Sequence, residues 1–274
     1  MGGTTELTGN TYDDLCGAAA QLDLELEPAE VAALASDHDM GEAELAALAA
    51  TFGYLVRKKK ASTAETLLKR SRLPRKVPKT FDNFDFGRIQ GRDPGALANL
   101  PALSDIYARR NIAFIGPEGV GKTHLSQAYG YECCLRGMSA YFLKATELRE
   151  KLKTAASRGG TPRSLQSLVA PSCLIVDSVG RCTFDEACTN LFFDLVDRRC
   201  EKDCPNTMIM TGNVAASEWG RFFTGDDALL CALDRLFNHA SVYMMRGPSY
   251  RGGGLKTYSV EVVPQVTKQR GANP

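Results

Sequence analysis

The chain has 274 residues, 44% of them hydrophobic, with a formal net charge of +1 at pH 7. That length allows one large domain, or a main domain with a small companion, and is ample to bury a core. No apolar run approaches the length of a bilayer crossing, which excludes a membrane-spanning chain.

The charges are unevenly placed. From Met1 to Val56 there are acids (Glu6, Asp13, Asp14, Asp23, Glu25, Glu27, Glu30, Asp37, Asp39, Glu42 and Glu44) and no Lys or Arg. From Arg57 to Lys79 the balance reverses: Arg57, Lys58, Lys59, Lys60, Lys69, Arg70, Arg72, Arg75, Lys76 and Lys79 face only Glu65. An acidic module followed by a basic segment suits an anionic partner. Residues 10–56 read as short helices. Pro28 and the early acids mark a helix start over Pro28–Leu34, and Glu42–Leu55 is rich in Ala and Leu at helical spacing. Pro74 and Pro78 are poor helix interiors, so a basic linker is placed at about residues 71–80. It separates an N-terminal helical interaction module, residues 1–70, from a main domain at 81–264.

Within the main domain, Ile112–Ile115 reads as a buried strand and Lys122–Arg136 as a helix. Ala140–Leu143 is a second strand and Thr146–Ala156 a charged helix. Cys173–Val176 is a third strand, ending at Asp177. Asp185–Lys202 is a helix with Leu191, Phe192, Leu195 and Val196 on one side. Thr207–Met210, Ala228–Asn238 and Ser241–Met245 complete the series as strand, helix and strand. Strands alternating with helices predict an α/β fold with a parallel sheet covered on both faces. The polar tail from Gln265 to Pro274 is expected to be disordered.

Nine cysteines, an odd number, and no signal-peptide pattern predict reduced thiols in a cytoplasmic protein. Cys182, Cys188, Cys200 and Cys204 can be drawn as a zinc site, but their spacings fit no C-x2-C pattern; the plainer reading is small packing residues on helices.

Gly116-Pro117-Glu118-Gly119-Val120-Gly121-Lys122-Thr123 matches G-x-x-x-x-G-K-[ST] in full. Glycines let backbone N–H groups turn inward around phosphate oxygens, and the helix starting near Lys122 adds its positive end. The run follows an expected strand and opens an expected helix, as the mechanism demands. ATP is therefore the expected ligand, bound by residues 116–123 and the adjoining His124. Lys122 would reach the β/γ-phosphates and Thr123 would hold Mg²⁺. Asp177, closing Leu174-Ile175-Val176-Asp177, would contact the metal through water, or else cap a helix. Ser178 stands next and cannot act as a base; hydrolysis is then slow, or Asp185 or Glu186 positions the water. Asn213 is placed to touch the γ-phosphate or simply to make a turn. Arg235 would reach a neighbouring subunit's γ-phosphate, or form a surface ion pair with Asp234 or Asp227.

These motifs carry a resemblance. Phe81-Asp82-Asn83-Phe84-Asp85-Phe86, Gly119-Val120-Gly121-Lys122-Thr123-His124-Leu125, Thr211-Gly212-Asn213, Ser217-Glu218-Trp219-Gly220, Leu233-Asp234-Arg235-Leu236-Phe237-Asn238-His239-Ala240 and Gly247-Pro248-Ser249-Tyr250-Arg251 together resemble the IstB-like ATPases of insertion-sequence transposition. These are relatives of the DnaC helicase loaders in the AAA+ initiator group. The resemblance spans about Leu67 to Val263 and implies a P-loop AAA+ core. It implies nucleotide and metal binding at Lys122, Thr123 and Asp177, γ-phosphate sensing at Asn213, a finger at Arg235 and a further contact at Arg251. It also implies a homo-oligomer that assembles on DNA when ATP is bound and presents that DNA to a transposase. Two departures stand out. The family's Asp-Glu is Asp177-Ser178 here, and the first 60 residues match only in being helical.

For DNA, the basic segment 57–79 is the main candidate. The helix at 144–155 adds Lys144, Arg149, Lys151 and Lys153, against a solvated face balanced by Glu147 and Glu150. No base-reading motif is visible, which predicts sequence-tolerant contact with a duplex backbone. Three functions follow: an ATP-dependent DNA-assembly factor serving a transposase, a loader of a replicative helicase, or a nucleotide-gated scaffold with little turnover.

Overall fold

The computed structural model describes residues 10–89, 93–159, 162–203, 205–224 and 233–247. Three helices open it: α1 (Asn10–Ala20), α2 (Pro28–Asp37) and α3 (Glu42–Arg70). They enclose a small core of Leu15, Val31, Ala35 and Leu45. Helix α2 starts as its sequence dictates. Pro28 takes a first-turn position, where its missing N–H costs nothing, and Glu30 accepts from the Glu27 backbone N–H at 2.9 Å. Helix α3 outruns the expected Glu42–Leu55 by four turns, because nothing between Val56 and Arg70 breaks a helix. It carries the first half of the basic segment.

The chain then packs onto the main domain. Ser71 and Leu73 are buried, and the Ser71 carbonyl accepts from Phe142 N–H at 2.8 Å. Arg72 pairs with Glu147 at 2.5 Å. Two short helices, α4 (Pro94–Ala98) and α5 (Ser104–Tyr107), follow. They escaped the sequence reading because one turn gives no periodicity to detect.

The remaining elements are β1 (Ile112–Ile115), α6 (Lys122–Leu135), β2 (Ala140–Lys144), α7 (Ala145–Ser157), α8 (Pro162–Val169), β3 (Cys173–Val179), α9 (Glu186–Glu201), β4 (Thr207–Gly212), a 3₁₀ turn (Ala216–Phe222) and β5 (Ser241–Met244). Residues 233–237 are helical; the start of the helix expected at Ala228 lies outside the described residues, as do Cys204, Arg251 and the tail 265–274. All strand pairs are parallel, in the order β2-β3-β4-β1-β5. The expected parallel sheet is present, and the fold is that of a P-loop AAA+ core.

Alternate residues of each strand feed opposite cores. Ile112, Phe114, Cys173, Ile175 and Ile209 face α6 and the segment before β1. Ala113, Ile115, Leu174, Val176, Met208 and Met210 face α7, α8 and α9. Burial on both faces is why these strands read as unbroken apolar runs. The approach of α6 to the sheet is close: a Cβ on Gly130 would sit 2.6 Å from Ile175 Cδ1.

Cys133, Cys134, Cys173 and Cys188 are buried packing residues. Among the described residues no group of three or more His, Cys, Asp or Glu side chains is placed to hold a metal ion. No described helix is long and apolar enough to cross a membrane.

Candidate nucleotide site

The C-terminal edge of the sheet carries the chemistry. Strand β1 ends in the phosphate loop, β3 in Asp177-Ser178 and β4 in Thr211-Gly212-Asn213. Crevices at such edges are where open α/β sheets place ligands. Here a cleft of about 400 Å³ is walled by Lys79, Glu118, Lys122, Arg181 and Asn213, among others.

The phosphate loop is shaped by its glycines. Gly119 and Gly121 have φ of +82° and +98°, the left-handed region that lets successive N–H groups line a concave nest. At Gly116 a Cβ would stand 2.0 Å from the Met245 carbonyl oxygen, so no side chain fits. Gly121 meets Phe84, whose ring would lie 2.8 Å from an added Cβ. Phe84 also packs edge-on to His124, with ring centroids 5.2 Å apart. His124 Nε2 donates to the Thr80 carbonyl at 2.9 Å, and burial pushes the imidazole pKa down. The Phe81–Phe86 block therefore buttresses the loop from behind.

Lys122 Nζ donates to the Gly116 and Pro117 carbonyls at 2.7 and 2.6 Å, which holds the ammonium over the loop. Glu118, Gly119, Gly121, Lys122, Thr123 and His124 line the cleft. Gly116, Pro117 and Val120 do not; the Val120 side chain is buried in the core.

Asp177 is 5% exposed and sits beneath the cleft wall. Its Oδ1 accepts from Thr123 Oγ1 at 2.7 Å and Thr211 Oγ1 at 2.8 Å, and its Oδ2 from Ser178 Oγ at 3.2 Å. Among the described residues no ion pair includes Asp177. A buried carboxylate beside a hydroxyl at a helix N-terminus is an all-oxygen donor set that suits Mg²⁺. The metal-side residues Thr123 and Asp177 are thus brought together. Asp177 caps no helix; that place is taken by Asp185, which accepts from Cys188 N–H at 2.9 Å and starts α9. Neither Asp185 nor Glu186 lines the cleft.

Ser178 holds a conformation that the sequence did not reveal. Its φ is +64°, and a β-bulge interrupts the β3–β4 register between Val176 and Val179. Bulges re-aim side chains beside functional sites. Its N–H donates to Thr211 Oγ1 at 2.8 Å. Asn213 lines the cleft, exposed, at the end of β4. Behind it Trp219 is fully buried and donates Nε1–H to the Val214 carbonyl at 3.2 Å, seating the Ser-Glu-Trp-Gly block against Gly212.

Arg235 does not line this cleft. It is in an ion pair with Asp197 of α9 rather than Asp234, Asp227 lying outside the described residues, and its guanidinium lies 5.4 Å from the Phe193 ring centroid. The cleft gains four residues the motifs did not single out, Lys79, Gln127, Val179 and Arg181. Lys79 was legible only as part of a basic run, and Arg181 follows no pattern.

The basic segment divides. Lys59 pairs with Asp23, Lys69 with Glu65 and Arg72 with Glu147. Arg57, Lys58, Lys60, Arg70, Arg75 and Lys76 are exposed and make no ion pair among the described residues. On α7, Arg149 is taken by Glu150, and Lys151 lies 5.7 Å from the Tyr141 ring centroid, so that face is largely balanced internally.

Residues 19–257 match the family described as IstB-like ATP binding protein. An insertion sequence IS5376 ATP-binding protein of Geobacillus stearothermophilus is 37% identical over 194 residues, 70% of this chain and 75% of that protein. An insertion sequence IS21 ATP-binding protein of Pseudomonas aeruginosa is 36% identical over 188 residues, 68% and 69% of the two chains. The solved structure of DnaI superposes with a TM-score of 0.52 at 18% identity, covering 66% of this chain and 95% of DnaI. The DnaC helicase loader does so with a TM-score of 0.50 at 16% identity, covering 61% and 97%.

Proposed function

The chain belongs to the IstB-like ATP-binding proteins, and from that premise we propose that it is a nucleotide-gated DNA-assembly factor serving a partner transposase. It binds ATP at the loop of residues 116–123, and occupancy drives copies of the chain to stack along duplex DNA. The observation that carries this reading is the joining of Lys122, Thr123, Asp177 and Asn213 at one sheet edge, with Arg235 held away from its own cleft. An arginine outside its own cleft, in an exposed ion pair with Asp197 that opens readily, can turn to a neighbouring copy, where it would stabilise charge on the γ-phosphate.

Mg²⁺ would be held by Thr123 with Asp177 behind it, and would neutralise phosphate charge. The protein's own residues do the rest. Lys122 binds the phosphates, and Asn213 reports whether a third phosphate is present. The unpaired cations of α3 and the following segment meet the DNA backbone. Arg57 to Arg70 spans roughly 20 Å of helix at 1.5 Å per residue, enough to follow several phosphates. The test is assembly. With ATP, magnesium and a duplex of arbitrary sequence, gel filtration or electron microscopy is expected to show multimers that dissolve as salt rises. Monomers under all these conditions would remove the proposal. A helicase loader would instead prefer single strands, so running both DNA forms separates the two readings.

Turnover is proposed to be slow, because Ser178 supplies no base. Ser178→Glu is expected to raise phosphate release about tenfold or more. It is also expected to cost about 1 kcal/mol of stability, since it removes the Ser178 Oγ–H donation to the buried Asp177 carboxylate. A phosphate-release assay that finds no gain in the folded variant would show that the missing carboxylate is not what limits turnover.

A further inference from the structure

We propose that Arg181 makes this cleft prefer a nucleoside triphosphate over a diphosphate, and that Glu118 of the phosphate loop holds it in reserve. The inference rests on the nucleotide reading above and adds a specificity-determining residue to it.

Arg181 is placed deliberately by the fold. The turn that carries it is built from two left-handed residues, Ser178 at φ +64° and Gly180 at φ +101°. Arg181 N–H closes that turn onto the Ser178 carbonyl at 3.3 Å. The turn is pinned from outside: a Cβ on Gly180 would come within 3.0 Å of the Phe222 ring. Phe184 N–H then donates to the Phe222 carbonyl at 2.7 Å. Strain of this kind persists only where the surroundings enforce it, and it gathers at functional sites. Its result here is a guanidinium on the cleft wall, across from the phosphate loop.

The partner of that guanidinium is unusual. Arg181 Nη2 meets Glu118 Oε1 at 2.5 Å, and both side chains are 61% exposed. Glu118 lies inside the phosphate loop itself. A carboxylate there repels an incoming polyphosphate, and only a cation beside it cancels that field. So exposed a pair contributes little to stability and opens readily. Among the cations lining the cleft, Lys122 is fixed on two loop carbonyls and Lys79 comes from the segment before β1. Arg181 is held by an acid that phosphate would displace. Exchange of the carboxylate for a phosphate keeps a charge-assisted hydrogen bond, and the guanidinium fork suits phosphate oxygens. The terminal phosphate of a triphosphate adds the charge that makes the exchange favourable.

The experiment is calorimetric titration of the full chain with Mg-ATP and with Mg-ADP. Wild type is compared with Arg181→Gln, Glu118→Gln and the double variant, with thermal melts to check folding. Arg181→Gln is expected to weaken ATP about tenfold and ADP less than about twofold. Glu118→Gln is expected to tighten ATP about threefold, and its effect should be non-additive with Arg181→Gln in the double variant. An unchanged ratio of ATP to ADP affinity in Arg181→Gln, with wild type binding both, would overturn this inference and leave the nucleotide reading standing. Wild type that takes up neither nucleotide would end both.

Discussion

Lys122→Ala is expected to abolish measurable ATP uptake at micromolar concentrations while leaving the fold intact. The two carbonyl contacts of Lys122 Nζ lie within its own loop, to Gly116 and Pro117. Their loss leaves two solvent-reachable oxygens that water can satisfy, so the melting temperature should move little. The binding loss is of another size. A lysine ammonium over the phosphate loop makes charge-assisted contacts to the most highly charged part of the ligand. Removing it costs about 3 kcal/mol, roughly two orders of magnitude in Kd. DNA-bound multimers should be lost with it, because in this reading they form only on the nucleotide-bound chain. Calorimetry on the folded variant checks the first expectation, and sedimentation with duplex DNA the second. ATP affinity within about threefold of wild type would mean that the loop does not grip phosphate through this residue.

Much of this was readable in the residues. The phosphate loop, the strand before it and the helix after it are a local pattern, and local patterns survive into the fold unchanged. Ile112–Ile115 is a strand at the bounds expected, and Lys122 starts α6. What eluded the sequence is long-range or conformational. The left-handed bulge at Ser178 has no composition signal, since Ser is not a residue that favours positive φ. The Arg181–Glu118 pair joins positions 63 residues apart. Asp185 looked like a spare carboxylate near the site, and only the start of α9 shows that its oxygen is committed to the Cys188 N–H. Helix α8, Pro162–Val169, was missed because its eight residues sit between a Gly-Gly pair and a Pro, where loop signals dominate.

The residue whose loss should damage the fold most is likewise silent in the sequence. Arg199 on α9 is 1% exposed and reaches no carboxylate among the described residues. Its Nη1 donates to the Leu168, Val169 and Pro171 carbonyls at 3.0, 3.1 and 2.9 Å. Its Nη2 donates to the Asn206 side chain at 2.6 Å and the Thr207 carbonyl at 2.8 Å. A cation at the C-terminal end of α8 is favoured by that helix's dipole, which offsets part of the cost of burial. The rest of the cost shows in the pKa, which burial pushes down to about 10. Because the folded value lies below the unfolded one, stability from this group rises only above that pH. Near neutrality Arg199 is cationic in both states, so its contribution there does not vary with pH. Arg199→Met, close in volume, leaves several buried carbonyls without a donor and should cost about 3–5 kcal/mol. For a chain of this size that is about 10 °C in melting temperature. Arg199→Lys keeps the charge but loses the fork, and should fall between. The consequence reaches the cleft. Asn206 precedes and Thr207 begins β4, which carries Thr211 and leads to Asn213, and Ser172, whose carbonyl accepts from Nη2 at 3.4 Å, precedes β3, which carries Asp177. Loosening both strands at their starts should therefore lower ATP affinity without touching a cleft residue. A melt of Arg199→Met within about 2 °C of wild type would show that water replaces the guanidinium there and that the clamp is not needed.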